Sequence, residues 1–399
     1  MSLEKHADMP PAREKINVLF IIVQMEMGGA ERLVHTLASR LDRTRFNPSV
    51  AWFNGEKPLK EFSDLGIPLY HVPKVKRFDT ATMRQLSRII KDNGIHIVNA
   101  HHFMPMVYAF YGTKLKKQAR LFCTMHSEWE LDELSWKWKK AGSALLKRSD
   151  GMICVTPNVA KAAQSVFNLP RSKTFTIENG VDIAASYVPA LRAGARKTLG
   201  LHGNEKAIGI VANLKKVKNH IFLLRAFDAL ARERPDARLV IMGQGFKGEA
   251  DNTEDELRAF IREHGIGDKV LMTGYRPDVP ALLAGLDVFC LCSLKEGLPI
   301  SLIEAMAAGL PSVGADVEGI RDVIRHGKDG LIVPLDDVGA LKNSLLALIA
   351  DEAFSRAIGL EGKETVRQRY TLSRCLERYE KLFSERTTHG IIDKTCRTT

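Results

Sequence analysis

Residues 288–313, VFCLCSLKEGLPISLIEAMAAGLPSV, contain a strand, a loop and a helix within one short stretch. Val288 to Cys292 is an apolar run typical of a buried strand, and a polar loop that contains a glycine follows it. Pro299 then opens a run with apolar residues at helical spacing, which stops at Gly309 and Pro311. Proline suits the first helical position because its missing N–H would be unpaired there. The stretch therefore predicts one β-loop-α unit of an α/β fold.

The start of this predicted helix has the features of a phosphate site. Backbone N–H groups from Gly297 to Ile300 should point outward there and attract an anion. Glu296 and Glu304 flank them. Since carboxylates repel a diphosphate, we interpret the two acids as acceptors for sugar hydroxyls. Two structural interpretations stay open: Glu304 closes a capping box with Ser301, or Glu296 is a solvated loop acid.

Strand patterns alternate with helical patterns along the chain, which indicates doubly wound parallel sheets. The strand patterns of the first half are Ile16 to Val23, Pro48 to Trp52, Leu69 to Val72, Ile95 to Ala100, Arg120 to Thr124, Gly151 to Val155 and Thr174 to Ile177. After a predicted linker at 183–194 the alternation restarts at Ala207 to Val211. We predict a first domain over residues 15–185 and a second over 195–370.

Composition places the chain among globular proteins. It has 399 residues, 45% of them hydrophobic, and no apolar run approaches the ~20 residues that span a bilayer. The polar N-terminus has no apolar signal core, which favours a cytoplasmic protein. Residues 1–14 and 387–399 are expected to be disordered. Among the six cysteines only Cys290 and Cys292 are close, and their spacing favours buried core residues over a zinc or redox site.

Positive charge is concentrated in the first half. The net charge is +11, and residues 1–185 hold 27 Lys and Arg against 18 Asp and Glu. Such an asymmetry favours an anionic partner, such as a lipid surface, an anionic acceptor or nucleic acid. Nucleic acid is the least favoured, because stacking aromatics are not interleaved with the basic residues outside Trp129 to Trp138.

One predicted helix, over residues 130–148, combines basic and aromatic side chains. Its apolar residues at helical spacing are Leu134, Trp138, Ala141 and Leu145. This pattern is typical of a helix that lies on an anionic membrane surface. It is equally typical of a helix that covers its own sheet and has a solvated basic face. The sequence leaves both interpretations open.

The segment from Glu296 to Pro311 resembles the E-x7-E motif of the retaining glycosyltransferases of family 4. The resemblance extends over roughly residues 15–385. It implies the GT-B fold, in which two Rossmann-like parallel-sheet domains face a central cleft. It also implies that a final helix, residues 371–385, crosses back onto the first domain. The first domain would bind the acceptor and the second the nucleotide sugar.

The resemblance also implies roles for individual residues. Glu296 would hold the donor sugar, Glu304 the ribose, and Lys218 the diphosphate. His126 would contact the transferring sugar, and the glycine pair Gly28 and Gly29 would form the N-terminal loop across the cleft. The family usually has an arginine where this chain has Asn213. Lys215 could supply that missing charge, although an ammonium group cannot reproduce a bidentate guanidinium contact.

The resemblance assigns further donor contacts to backbone and loop positions. Leu298, Pro299 and Ile300 would complete the helix start with Gly297. Residues 243–248 form a G-x-G-x-x-G, in which Gly245 would let the loop approach the nucleotide. A dinucleotide fingerprint needs an acid at the end of the next strand, and Asp268 precedes that strand, so NAD is rejected. Arg276 would reach the phosphates from a base-contacting turn.

The expected activity is transfer of a sugar from a nucleotide-diphosphate sugar, most simply a UDP-sugar, to an acceptor hydroxyl with retention at the anomeric carbon. The resemblance suggests polysaccharide, lipopolysaccharide or glycolipid synthesis, with a sugar, a glycolipid or a polyprenyl-linked acceptor. No metal or other cofactor is expected, and peripheral attachment to the inner face of a membrane is an option. The alternatives are an epimerase or hydrolase of the same fold, or a non-catalytic basic binding protein.

Overall fold

The computed structural model describes residues 14–25, 28–55, 57–74, 79–183, 191–246 and 248–395. Most of the expected N-terminal leader and the core of the expected linker, residues 184–190, lie outside these ranges. The described chain alternates strands and helices, as the sequence predicts. This alternation gives two parallel sheets.

The first sheet has seven strands in the order β3-β2-β1-β4-β5-β6-β7. Every strand pairing recorded between β1 and β5 is parallel. The strand β1 lies inside the sheet, between β2 and β4, and is buried from Val18 to Ile22, which explains its nearly continuous apolar sequence. The strands are β1 Ile16–Gln24, β2 Phe46–Asn54, β3 Leu69–His71, β4 Ile97–His101, β5 Arg120–Met125, β6 Gly151–Cys154 and β7 Thr174–Thr176.

The second sheet has six strands in the order β10-β9-β8-β11-β12-β13, and all its recorded pairings are parallel. The strand order reverses between β8 and β11, and a ligand crevice is expected outside the strand ends at such a switch point. The strands are β8 Lys206–Val211, β9 Ala237–Met242, β10 Val270–Gly274, β11 Val288–Leu291, β12 Ser312–Ala315 and β13 Leu331–Val333.

Helices connect consecutive strands in both sheets. The α-helices are α1 Gly29–Arg40, α2 Lys60–Ser63, α3 Thr80–Asp92, α4 Phe103–Phe110, α5 Trp129–Asp132, α6 Trp136–Arg148, α7 Pro157–Phe167, α8 Leu191–Thr198, α9 His220–Glu233, α10 Glu254–Glu263, α11 Val279–Leu283, α12 Ile300–Ala307, α13 Glu318–Arg321, α14 Val338–Ala350, α15 Glu352–Arg369 and α16 Leu372–Thr395. A π-helix, Tyr111–Leu115, follows α4, and 3-10 turns span Arg171–Lys173 and Lys216–Lys218.

Two compact units can be distinguished by the density of contacts. The first contains the described residues within 1–124, 141–152 and 379–399, and the second contains those within 125–140 and 153–378. The domain boundaries predicted from the sequence, 15–185 and 195–370, follow the two sheets and stay a prediction.

The last described helix, α16, packs Phe383, near its middle, into the core of the first unit. Phe383 is fully buried, with its ring centroid 6.0 Å from that of Phe122 and 6.5 Å from those of Phe20 and Phe46. Helix α16 continues to Thr395. The expectation of a disordered tail from residue 387 is therefore wrong up to that residue, and 396–399 lie outside the described chain.

The single helix predicted over residues 130–148 is two helices, α5 and α6. The predicted apolar stripe is also wrong in phase. Gly142 and Leu146 are the buried residues of α6, whereas Ala141 is exposed. The physical reason is that α6 begins at Trp136, so Leu134 lies before it and cannot share its helical face. Among the described helices none has the length and hydropathy of a membrane span.

Candidate functional site

The loop after β11 leads directly into α12. Pro299 is the N-cap of this helix, with φ −78° and ψ 89°, and Ile300 is its first residue. The prediction that Pro299 is the first helical residue is therefore wrong by one position. Glu304 is then the fifth helical residue, beyond the third position that a capping box requires, which excludes that interpretation. No side chain caps the helix, so its first N–H groups point away from the helix body.

Lys218 and Glu296 form an ion pair in this loop region. The Lys218 Nζ donates to Glu296 Oε1 at 2.7 Å, and the Ser293 hydroxyl donates to the same oxygen at 2.6 Å. The Glu296 side chain is only 9% exposed, against 27% for Lys218. Glu296 is therefore a held carboxylate, and the interpretation of a solvated loop acid is wrong. Its position three residues after Ser293 is the sequence signal that could have revealed this contact.

Backbone contacts explain why these two side chains meet. The 3-10 turn Lys216–Lys218 follows β8, and the Leu294 N–H donates to the Val217 carbonyl at 2.8 Å. Asn219 then adopts a left-handed conformation, φ 50°, and the chain turns into α9. The loops after β8 and β11 are thus tied together at the point where the strand order reverses.

Gly297 and Gly319 allow three loop segments to stack closely. A Cβ on Gly297 would lie 1.8 Å from the His126 carbonyl oxygen, and one on Gly319 would lie 2.2 Å from the Gly297 carbonyl oxygen. A side chain at either glycine would therefore clash with backbone. This contact places the segment that starts at His126, directly after β5, beside the loop that carries Glu296.

Two of the predicted phosphate-binding cations have other partners. The Lys215 Nζ lies 2.7 Å from Glu249 Oε2 and 5.6 Å from the centroid of the Phe246 ring. The Arg276 guanidinium donates two hydrogen bonds to Asp278, at 2.7 and 2.5 Å. Both cations are therefore paired with acids other than Glu296 in this structure. The pairing of Arg276 raises its own pKa and lowers that of Asp278, because each charge stabilises the other.

The loop position of Gly245 is explained by its neighbours. Its N–H donates to Glu254 Oε2 at 3.3 Å, and a Cβ there would lie 2.1 Å from Asn252 Oδ1. Gly245 of the G-x-G-x-x-G is therefore needed locally, for packing against Asn252. Asn213, at the position of the family arginine, is half-buried, and its backbone carbonyl accepts a hydrogen bond from the Lys215 N–H at 2.8 Å.

The predicted N-terminal loop belongs to the first unit. Gly29 is the first residue of α1, and Gly28 is its N-cap, without a side-chain cap. A Cβ on Gly28 would lie 2.7 Å from Glu31 Oε2, so the buried Glu31 carboxylate sits at the start of this helix. A carboxylate is favourable at a helix N-terminus, where the helix dipole is positive.

The sequence did not reveal an acid cluster beside the stacked loops. Burial and a hydrogen bond to Glu318 raise the pKa of Glu128 to about 7. Burial and the nearby Glu318 also raise the pKa of Asp322, whose carboxylate accepts a hydrogen bond from Asn158 at 2.8 Å. Glu128 precedes α5, whereas Glu318 and Asp322 are the first residue and the C-cap of α13, so only the tertiary structure brings Glu128 to the other two. Across the described residues no group of three His, Cys, Asp or Glu side chains is arranged to hold a metal ion.

Comparison with known proteins identifies two family profiles. The profile described as Glycosyltransferase Family 4 matches residues 27–185, and that described as Glycosyl transferases group 1 matches residues 192–365. The second match contains the Lys218–Glu296 pair and both glutamates of the E-x7-E segment. The first range contains β2 to β7 of the first sheet, and the second contains all six strands of the second sheet.

Individual relatives extend along most of the chain. Spore coat protein SA of Bacillus subtilis is 30% identical over 288 residues, which are 67% of this chain and 71% of that protein. The UDP-Gal:alpha-D-GlcNAc-diphosphoundecaprenol alpha-1,3-galactosyltransferase of Escherichia coli is 23% identical, over 87% of this chain and 91% of that protein. The crystal structure of Anabaena HepE with UDP and glucose matches with a TM-score of 0.79 and 22% identity, over 92% of this chain and 99% of HepE.

Proposed function

Since this chain belongs to the glycosyltransferases of family 4 and has the GT-B fold, we propose that it transfers a sugar from a UDP-sugar to an acceptor hydroxyl with retention at the anomeric carbon. The observation that carries the proposal is the Lys218–Glu296 pair beside the uncapped start of α12. It puts a cation, backbone donors and a carboxylate at one point. HepE binds UDP and glucose, which supports the choice of donor.

Lys218 and the start of α12 supply the electrostatic part of the proposed reaction. Negative charge grows on the β-phosphate as the bond to the anomeric carbon breaks, and positioned donors stabilise it most in the transition state. These donors are the Lys218 ammonium and the backbone N–H groups of Gly297, Leu298 and Ile300. Pro299, which lies between them, has no N–H and fixes the turn into the helix. We assign secondary donor contacts to Gly29, Arg276, Lys215, Asn213 and Gly245.

The two glutamates orient the donor in this proposal. Glu296 accepts hydrogen bonds from the hydroxyls of the transferred sugar, and Ser293 keeps its carboxylate in place once Lys218 turns to phosphate. Glu304, one turn inside α12, accepts from the ribose hydroxyls. His126 approaches the sugar from the segment that packs on Gly297. Holding the donor by both ends fixes the anomeric carbon relative to the acceptor, which lowers the entropic barrier to transfer.

The acceptor is proposed to be a sugar hydroxyl on a glycolipid or polyprenyl-linked glycan. The name of the Escherichia coli relative describes a diphosphoundecaprenol-linked acceptor for that protein. Such an acceptor would place this enzyme in the synthesis of a cell-surface glycoconjugate, such as polysaccharide or lipopolysaccharide. Product analysis by NMR, with a panel of lipid-linked and free glycosides, would identify the acceptor and the anomeric configuration of the product.

Removal of Lys218 tests the phosphate assignment. We expect Lys218→Ala to lower kcat with UDP-sugar by about 100-fold, as is typical for loss of one transition-state donor. Lys216→Ala is the matched control, because Lys216 lies in the same 3-10 turn but is exposed. Steady-state kinetics on both variants make the comparison. Unchanged transfer by Lys218→Ala would contradict the proposal.

Chelation of metal ions tests the expectation that transfer needs no cofactor. We propose that transfer needs no metal ion, because Lys218 and the α12 N–H groups provide the positive charge that a metal would otherwise supply. The initial rate should therefore be the same with and without EDTA. A loss of activity that Mg²⁺ or Mn²⁺ restores would contradict this part of the proposal and leave the donor assignment intact.

A further inference from the structure

Glu128 and Glu318 connect two segments of the second compact unit through a hydrogen bond between carboxyl groups. Glu128 follows His126 and Ser127 in the segment directly after β5, and Glu318 is the first residue of α13. A carboxylate has no proton to donate, so two carboxyl groups form this bond only when they hold a proton between them. The bond therefore exists while the pair is protonated and is lost when both acids are ionised.

The backbones of the same two segments contact the loop before α12. A Cβ on Gly297 would lie 3.2 Å from the Ser127 Cα, and one on Gly319 would lie 2.2 Å from the Gly297 carbonyl oxygen. Ser127 directly precedes Glu128, and Gly319 directly follows Glu318. The loop before α12 thus touches both segments that carry the paired acids. The carboxyl bond therefore joins the outer two of three stacked segments.

The surroundings of Glu128 favour its protonated form. Partial burial is the largest cause, followed by the hydrogen bond to Glu318 and by the charges of Glu318 and Asp322 on α13 and of Asp132 on α5. Together they raise the pKa of Glu128 to about 7. An ordinary glutamic acid has lost its proton well below that pH. The pair therefore keeps its shared proton close to neutral pH.

Cations of the neighbouring elements do not neutralise the pair. Arg321 of α13 donates to Asp316 at 3.0 Å. Helix α7, which packs on α5, contains one charged residue, Lys161, and its side chain is exposed, as is that of Lys295 in the loop before α12. The strongest charges on Glu128 come from acids instead. Full ionisation would thus leave two like charges in contact, and these repel each other.

We propose that Glu128 and Glu318 are positioning residues, whose shared proton forms a carboxyl clamp that holds the segment with His126 against the loop with Glu296. The clamp keeps the two side chains assigned to the transferred sugar at a fixed separation, which favours transfer. It is favoured most below about pH 4.5, weakens as pH rises and is lost above about pH 7. Above that pH the repelling carboxylates release the segment with His126 from the loop.

The clamp can be tested without turnover, because only the assignment of His126 and Glu296 to the sugar rests on the proposed function. Trp129 is the reporter, since it directly follows Glu128, begins α5 and is 37% exposed. Its fluorescence should change between about pH 5 and about pH 8 in wild type and stay constant in Glu128→Gln, whose amide can donate to Glu318 at every pH. Trp129→Phe should abolish the wild-type change, which identifies the reporting indole.

Steady-state kinetics measure the effect of the clamp on the sugar. The KM of wild type for UDP-sugar, divided by that of Glu128→Gln, should rise at least about ten-fold from about pH 5.5 to about pH 8, because ionisation weakens the clamp by roughly ten-fold per pH unit. The same ratio of affinities for UDP, which has no sugar, should not change with pH. Glu128→Ala cannot form the bond at any pH, so its KM for UDP-sugar should be raised throughout.

Glu133→Gln is the matched control, because Glu133 is an exposed acid at the C-terminal end of the same helix. It should keep the fluorescence change and the pH profile of wild type. A wild-type fluorescence that is constant with pH would overturn the proposal, as would a change that persists in Glu128→Gln or identical KM profiles for the two proteins. Absence of sugar transfer by wild type at every pH would instead contradict the proposed function, and the fluorescence titration would still decide the clamp.

Discussion

Two anions compete for the Lys218 ammonium group: the Glu296 carboxylate and the diphosphate of the proposed donor. In this structure its ammonium group is paired with Glu296, and the pair is mostly withdrawn from water. In the proposed complex the same ammonium binds a diphosphate. Since one ammonium cannot fully satisfy both anions, binding of the nucleotide must weaken the pair with Glu296. Ser293, which already donates to Glu296, would then hold the carboxylate for the sugar.

Neutralising Glu296 should separate nucleotide binding from sugar transfer. In Glu296→Gln the competing charge is removed from Lys218, so UDP should bind about five-fold more tightly, as expected for release of a partly screened ion pair. Transfer should nevertheless fall at least about ten-fold, because the amide is a weaker acceptor for the sugar hydroxyls. Calorimetric titration with UDP and steady-state kinetics with UDP-sugar measure the two effects.

Glu304→Gln is the comparison for that experiment. Glu304 lies on α12 and is assigned to the ribose, so its amide variant should bind UDP more weakly than wild type. Opposite signs for the two glutamates are the signature of their different roles. If both variants bound UDP more weakly, the competition between Glu296 and phosphate for Lys218 would be refuted.

The packing of the last described helix, α16, is centred on one aromatic side chain, Phe383. Phe383 of α16 packs against three phenylalanines of the first sheet, Phe20, Phe46 and Phe122. Tyr379, one turn earlier, is buried beside it, with ring centroids 5.7 Å apart. Arg45 adds a bond to Ser384 at 2.7 Å. The helix is therefore part of the core of the first unit.

Truncation of Phe383 should destabilise the protein strongly. Phe383→Ala removes a fully buried ring and leaves a cavity, which costs about 3–5 kcal/mol in the free energy of unfolding. Urea denaturation provides the measurement. Lys381→Ala is the control on the same helix, since Lys381 is exposed and its loss should change stability by less than about 0.5 kcal/mol. A similar small effect of Phe383→Ala would contradict the described packing.

At the scale of the whole molecule, the acid cluster should make stability depend on pH. The pKa of Glu128 in the folded protein is about 7, above its ordinary value of 4.5, mainly because the carboxyl is partly buried and bonded to Glu318. The native state therefore favours the protonated form. That contribution to stability is fully present below about pH 4.5 and is lost as pH rises through about 7.

Glu128→Gln should remove this pH dependence. Because glutamine mimics the protonated carboxyl, the variant should match wild type in thermal stability near pH 4.5 and exceed it at pH 8. Melting temperatures across this range, compared at each pH, test the expectation. Glu133→Gln, at an exposed acid of the same region, should run parallel to wild type. A constant difference between Glu128→Gln and wild type at all pH values would contradict the assignment.

Local sequence determined most of the architecture of this protein. Apolar strands such as Ile16–Gln24 and periodic helices such as His220–Glu233 are specified by the period of their own side chains, so the two parallel sheets could be predicted. The stretch from Val288 to Val313 also has the predicted strand, loop and helix. The family followed from a motif within that same stretch.

Tertiary structure decided which side chains meet. Lys218 and Glu296 are 78 positions apart, and only the parallel pairing of β8 with β11 brings their loops together. The same is true of the contact between Gly297 and His126, the pairing of Lys215 with Glu249, and the acid cluster at Glu128. Contacts between distant loops depend on how whole elements pack, and the hydrophobic period of a segment contains no information about its partner. For this reason the sequence predicted the sheets, whereas the charge pairs of the site required the fold.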